Sequence, residues 1–171
     1  MRQAMALAPS VGNSRPWRVI RVNSTATKEA VITNFKAANE IAADIYDDAK
    51  RQQYQKLKLA GLKEAPVHLA IFTDMAPIEG AGLGRQSMPD TLTYSTVSAI
   101  HQLWLAARTL NIGIGWVSIL EPENMNKILS VQDDWKFTAY LCVGYPKEDY
   151  ETPELERKGW QENVDHDWLE R

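Results

Sequence analysis

The sequence predicts an α+β fold, a sheet of four strands sandwiched by helices, in a single domain spanning residues 1–171 with 148–171 as a carboxy-terminal arm. Three observations carry this reading. Short apolar runs bounded by turn residues recur at 17–22, 66–73, 113–120 and 135–145, the signature of half-buried or buried strands. Helical periodicity fills the intervals between them. Finally, 171 residues with 44% hydrophobic content suffice for one core, and the surplus of apolar surface predicts a homodimer.

Charge and composition exclude several classes. A net charge of -3 and a pI of about 5.6 give no electrostatic reason to expect nucleic acid. No segment is apolar for long enough to span a membrane, and the apolar start at 1–8 is too short for a secretory signal. The single cysteine, Cys142, excludes an internal disulfide and fits a reducing, cytoplasmic setting. With no activating histidine nearby in sequence, it reads as a core thiol.

Residues 1–7 read as the last turns of a helix, too short to nucleate alone, so the beginning of that helix is expected outside this sequence. Ala8-Pro9-Ser10-Val11-Gly12-Asn13-Ser14-Arg15-Pro16-Trp17-Arg18 cannot be helical, because two prolines fix φ and Gly12 permits backbone a side chain forbids. Its donors and acceptors, Ser10, Asn13, Ser14 and Arg15, suit a flat ligand with polar edges. Thr25 or Thr27 is expected to cap a long helix over 28–59 that Gly61 stops, with Val31, Phe35, Ala38, Ile41 and Ile45 on one face and charge nearly all round at 47–53.

His68, inside the 66–73 strand, has no second ligand at metal spacing and reads as a hydrogen-bonded core histidine. The alternating glycines of 79–85 lack the strand and helix context of a dinucleotide fingerprint, which leaves a loop or lid. Helix 91–110 places Leu92, Thr96, Ile100, Leu103, Ala107 and Leu110 on one face, while Val97, Trp104 and Ala106 spread apolar surface to others. It is expected to be buried all round, in a core or subunit interface, with His101 a satisfied core group. Gly113 and Gly115 open a strand whose backbone a flat ligand can approach closely, and Ser118 is its polar exception. A short helix over 122–129 and the strand 135–145 follow. The polar tail is expected to wrap over a neighbour, held by Trp160 and Trp168.

The 8–18 string resembles the Ala-Pro-Ser-x-x-Asn-Ser-Gln-Pro-Trp segment of FMN-dependent nitroreductase-like flavoproteins, with Arg15 in place of Gln. Further stretches resemble one branch of that family in the right order. They are Arg85-Gln86-Ser87-Met88-Pro89-Asp90-Thr91, 98–108, Gly113-Ile114-Gly115-Trp116-Val117-Ser118-Ile119-Leu120, 140–146 and Thr152-Pro153-Glu154-Leu155-Glu156-Arg157-Lys158-Gly159-Trp160. In that branch reduced FMN is both bound ligand and substrate, and O2 is used to fragment its ring to 5,6-dimethylbenzimidazole, the lower base of vitamin B12.

The resemblance implies a nitroreductase-like fold, an antiparallel-rich mixed sheet flanked by helices in an intertwined homodimer, and chemistry without a metal. It implies that Ser10, Asn13, Ser14 and Arg15 address the ribityl chain, the phosphate side or the ring edge. Arg157 supplies a phosphate cation, and Met88 belongs to a lid segment. The resemblance also implies that Ser118, matching the family's serine beside the reacting ring, is the catalytic residue. The family's basic Arg-Arg-Asp-Val-Arg stretch is not in this sequence; it is expected to be absent from the protein or to precede Met1. The electron donor stays open, an external flavin reductase being one supplier of FMNH2. Two alternatives stand beside this reading: an NAD(P)H-dependent FMN nitroreductase or flavin reductase, and a non-catalytic FMN-binding chain.

Overall fold

The four apolar runs pair into one sheet, ordered β1-β2-β4-β3, in the computed structural model of the chain, which describes residues 1–55, 57 and 60–171. The strands are β1 (Trp17–Arg21), β2 (Val67–Asp74), β3 (Gly113–Val117) and β4 (Trp135–Gly144). Every pairing is antiparallel: Trp17 lies opposite Thr73, Val67 opposite Val143 and Val117 opposite Tyr140. The parallel pair that a mixed sheet requires is not found among the described residues. β2 and β4 are central and covered on both faces, which is why their sequences are nearly continuous apolar runs rather than alternations.

Alternation along the strands divides the core in two. Ala70, Phe72, Val117, Tyr140 and Cys142 face one layer, where Val31 of α2 (Thr25–Ala43) and Met125 of α6 (Pro122–Leu129) close over them. Ile71, Ala139, Leu141 and Val143 face the other, under Met5 of α1 (Arg2–Ala6) and Ala99, Ile100 and Leu103 of α5 (Thr91–Arg108). Each large side chain so buried contributes about 1.5–3 kcal/mol. The register of β2 against β4 shifts between Ile71 and Phe72. Thr138 falls in that bulge, and its hydroxyl meets Thr73 Oγ1 at 2.7 Å, while Thr73 donates to Thr96 on α5 at 2.9 Å. A polar chain thus pins the helix to the sheet through otherwise apolar surroundings.

Several expectations are corrected. The long helix over 28–59 is two: α2 ends at Ala43, and α3 (Asp48–Gln55) starts afresh because Asp47 Oδ1 accepts from the Lys50 N–H at 2.9 Å, a helix-start contact. Its expected end at Leu59 lies outside the described residues. Ser24, rather than Thr25 or Thr27, caps α2 by accepting from the Thr27 N–H, and Gly61 opens the one-turn α4 (Gly61–Glu64) instead of stopping a helix. Of the two places expected to bury α5 all round, the core does not cover the face bearing Tyr94 (56% exposed), Val97, Trp104 and Leu105, which is open in the single chain. His101 lies on that face too, stacked on Trp104 with centroids 6.0 Å apart, and is not a core group. Leu110 also lies outside the core, past the helix end, and is exposed. Trp160 is held within the chain, but Trp168 is 95% exposed and touches no core. A last single turn, α7 (Glu154–Arg157), carries Arg157.

Candidate functional site at the edge of the sheet

As an edge strand, β3 leaves one side unpaired, and two of its five residues have no side chain. A Cβ added to Gly115 would meet nothing nearer than Cys142 O at 3.9 Å. Bare backbone therefore floors a groove of about 680 Å³ lined by Gly113, Gly115, Gly144, Pro146, Tyr150 and Arg157, among others, within the range of small-molecule sites. Arg157 packs its guanidinium 3.5 Å from the centroid of the Tyr150 ring and donates from Nε to Thr152 O at 3.2 Å. The other cations of the groove are neutralised, Lys147 by Glu64 at 2.7 Å and Lys158 by Glu154. Arg157 has no carboxylate partner among the described residues, and its forked terminal nitrogens suit a phosphate.

Ser118 follows directly on Val117, beyond the groove. It is exposed, and its hydroxyl has no protein partner among the described residues. Five residues of extended backbone separate Gly113 from Ser118, about 16 Å. The edge thus offers glycine backbone in a groove shared with a cation, and a hydroxyl just past the end of the strand.

The opposite edge is built differently. The loop expected to exclude any helix holds one 3-10 turn at Val11–Asn13, which the left-handed Gly12 keeps from extending, with the Val11 N–H donating to Ser95 Oγ on α5 at 2.9 Å. Ser10 Oγ accepts from the Arg15 N–H at 3.0 Å, so this hydroxyl shapes the loop. Gly12, at φ +55°, meets Gly80, at φ +77°, backbone to backbone; a Cβ on Gly80 would sit 2.6 Å from Gly12 O. Ser14 is 3% exposed and its Oγ has no partner, an orphan that a ligand or water satisfies in most proteins. Asn13 is exposed.

Arg15 lines a second cavity of about 1150 Å³ floored by Trp17, Val67, Leu69 and Val143. Met88, 57% exposed, precedes α5 on the loop that continues from the Gly80 turn, and its carbonyl accepts from the Thr91 N–H and hydroxyl. β1 and β3 stand three strand spacings apart, about 14 Å. Ser10, Asn13, Ser14, Arg15 and Met88 thus form one group, and Ser118 with Arg157 line the other edge. Within the chain the two groups lie on opposite edges of the sheet.

Groups between these edges serve the core. His68 Nδ1 pairs with the Tyr140 hydroxyl and Nε2 with Ala65 O, each at 3.0 Å, and burial pulls its pKa below the usual value. This is the core histidine expected. Burial pushes the Cys142 thiol up to about 11, so it stays protonated and inert at neutral pH. Sequence reasoning picked out Gly113, Gly115, Ser118 and Arg157, but missed Gly144 and Tyr150, which complete the groove and the arginine seat. Tyr150 has no local signal, being one aromatic in a polar tail.

The chain belongs to the nitroreductase family, whose model matches residues 1–145. It is 50% identical over 171 residues, all of this chain and 83% of the other, to the 5,6-dimethylbenzimidazole synthase of Rhodobacter capsulatus. With the 5,6-dimethylbenzimidazole synthase of Rhodospirillum rubrum it shares 48% identity over 165 residues, 96% of this chain and 78% of that one. Among solved structures, oxidized iodotyrosine deiodinase bound to FMN and 3-iodo-L-tyrosine matches with a TM-score of 0.75 at 18% identity, over 99% of this chain and 84% of that one. No helix among the described residues is long and apolar enough to cross a membrane.

Proposed function

We propose that the protein uses O2 to fragment reduced FMN to 5,6-dimethylbenzimidazole, the lower base of vitamin B12, in a site shared by two copies of the chain. The observation that carries this reading is the β3 edge: bare glycine backbone near Arg157, a cation without a carboxylate partner among the described residues, and followed by Ser118, a hydroxyl without a protein partner among them. The residues present fit FMN, whose phosphate, ribityl chain and flat ring call for those features in that sequence along a strand. The choice of reaction within the family is supported by half identity to named synthases along the whole chain.

Reduced FMN supplies the electrons and the carbon skeleton of the product. The chain's own residues supply binding, orientation and exclusion of water. Arg157 grips the phosphate with charge-assisted hydrogen bonds, each worth about 1.5–3 kcal/mol. Gly113 and Gly115 let the ligand lie against the strand. Ser118 orients the reacting ring through its hydroxyl, positioned by the end of β3.

Ser10, Asn13, Ser14, Arg15 and Met88 reach the same ring from the partner copy, because within one chain they lie on the far edge of the sheet. The open α5 face with Tyr94, Val97 and Trp104 is the surface through which the homodimer forms. A protein with one inert thiol and no need for an oxidising environment works in the cytoplasm, where a flavin reductase replenishes FMNH2.

A single-turnover reaction tests the reading. Anaerobically reduced FMN is mixed with the protein and exposed to air, and the small molecules are analysed by mass spectrometry. Dimethylbenzimidazole is the expected product. Quantitative recovery of oxidised FMN overturns the synthase reading in favour of a flavin-recycling nitroreductase.

A further inference from the structure

We infer that α3 is a positioning device for Arg157, acting through a clasp of Lys50, Gln53 and Trp160 that holds the end of α7. The inference rests on the assignment of Arg157 to the flavin phosphate made above. α7 is one turn of four residues, too short to be stable by itself. Its end is fixed by a left-handed Gly159 at φ +65°, with the Trp160 N–H returning to Leu155 O at 2.8 Å and the Gly159 N–H to Glu156 O at 2.8 Å. This pairing is the glycine-terminated helix stop that sends the following residue in a set direction. Here it sends Trp160 into α3.

There the indole is received edge-on by Tyr46, with centroids 5.5 Å apart and planes at 87°, and at 6.2 Å by Tyr54. Lys50 Nζ lies 3.9 Å from the indole centroid and donates to Trp160 O at 3.1 Å and to Gln53 Oε1 at 3.2 Å. Gln53 Nε2 in turn donates to Lys158 O at 3.2 Å and Gly159 O at 2.8 Å, carbonyls at the end of α7. The Tyr54 hydroxyl donates to Asn39 Oδ1 on α2 at 2.7 Å, which roots the clasp in the main body. Only Lys158 and Gly159 separate Trp160 from Arg157, so the backbone that carries the guanidinium is held from α3, while Tyr150 and Thr152 O hold the guanidinium itself. The rest of α3, at Asp48, Ala49, Arg51, Gln52 and Gln55, is exposed.

A device that places a phosphate ligand affects ligands with a phosphate and spares those without. Affinities for FMN and for riboflavin, read by fluorescence quenching, are compared in the wild type, Trp160→Ala, Gln53→Ala, Arg157→Ala and the double variant Arg157→Ala with Trp160→Ala. Trp160→Ala is expected to weaken FMN about tenfold, one charge-assisted hydrogen bond's worth, while riboflavin is unchanged. Gln53→Ala, which removes the two hydrogen bonds to the end of α7 and the one accepted from Lys50 while leaving the Trp160 ring in place, shows the same selectivity with a smaller loss and serves if Trp160→Ala does not fold. In the Arg157→Ala background the Trp160→Ala loss disappears, because the group it positions is gone. Equal weakening of FMN and riboflavin, or a loss undiminished in the Arg157→Ala background, overturns the clasp while leaving the phosphate assignment standing. If Arg157→Ala itself fails to alter the preference for FMN over riboflavin, the phosphate assignment falls, and the clasp with it.

Discussion

The two edges of the sheet solve opposite problems. At β1 most of the polar contacts close within the chain: in the loop of residues 8–16 Ser10 Oγ holds the Arg15 N–H and Val11 donates to Ser95, Ser14 Oγ being the exception, and on the strand Arg18 pairs with Asp74 at 2.6 Å. At β3 the groups are left unspent, with two glycines, a hydroxyl without a protein partner among the described residues, and an arginine without a carboxylate. Glycine itself changes meaning between them. Gly12 and Gly80 are needed because backbone meets backbone, whereas Gly115 has open space beside it. The first edge is preorganised by packing, and the second is kept vacant for something outside the chain.

One substitution made at both edges can break that contrast. Gly80→Ala forces a Cβ to 2.6 Å from Gly12 O at a φ of +77° and is expected to cost about 2–4 kcal/mol of stability, read as a fall in the thermal midpoint. Gly115→Ala is expected to leave the midpoint unchanged and to weaken FMN. Equal effects on stability at the two positions would erase the distinction. The next effect is chemical: Ser118→Gly keeps folding and FMN binding, since the hydroxyl supports nothing in the protein, but lowers product formation about a hundredfold, the scale of one lost oriented donor. Product yield equal to wild type removes Ser118 from the chemistry.

The smallest effect lies between the edges, on β2. Because burial holds the His68 pKa below its usual 6.5, the unfolded chain takes up a proton as pH falls through that value before the folded protein does. Stability from this group is therefore full above the unfolded pKa and lost as pH falls toward the folded one. Thermal midpoints across that window should decline for the wild type and decline less for His68→Gln. Parallel pH curves for the two proteins would show that His68 is not the group responsible.

Legibility in the sequence followed the range of the interactions. α6 was predicted at 122–129 and found at Pro122–Leu129, because proline, periodicity and stop are all local. The break between α2 and α3 was missed, although Asp47 stands in the sequence, because a capping aspartate and a solvated charge run look alike until the Lys50 N–H is seen to point at the carboxylate. His101 and His68 looked equivalent, each a lone histidine in an apolar element. Which face of α5 the sheet covers decided that one is exposed and the other buried. Tyr150 gave no signal at all, since a seat for Arg157 depends on the fold of the tail and not on spacing.

By itself the sequence determined which segments are strands and helices, where glycine and proline interrupt them, and which polar residues stand in otherwise apolar surroundings, because period, backbone restriction and composition act over a few residues. The tertiary structure alone decided that β1 and β3 become opposite edges, so that the loop residues and Ser118 separate by two intervening strands. It alone brought α3 to the end of α7 across more than 100 residues of chain, the Gln53 to Gly159 bond spanning 106. Strand order and long-range closure are set by which buried faces fit together, and no window of neighbouring residues contains that information.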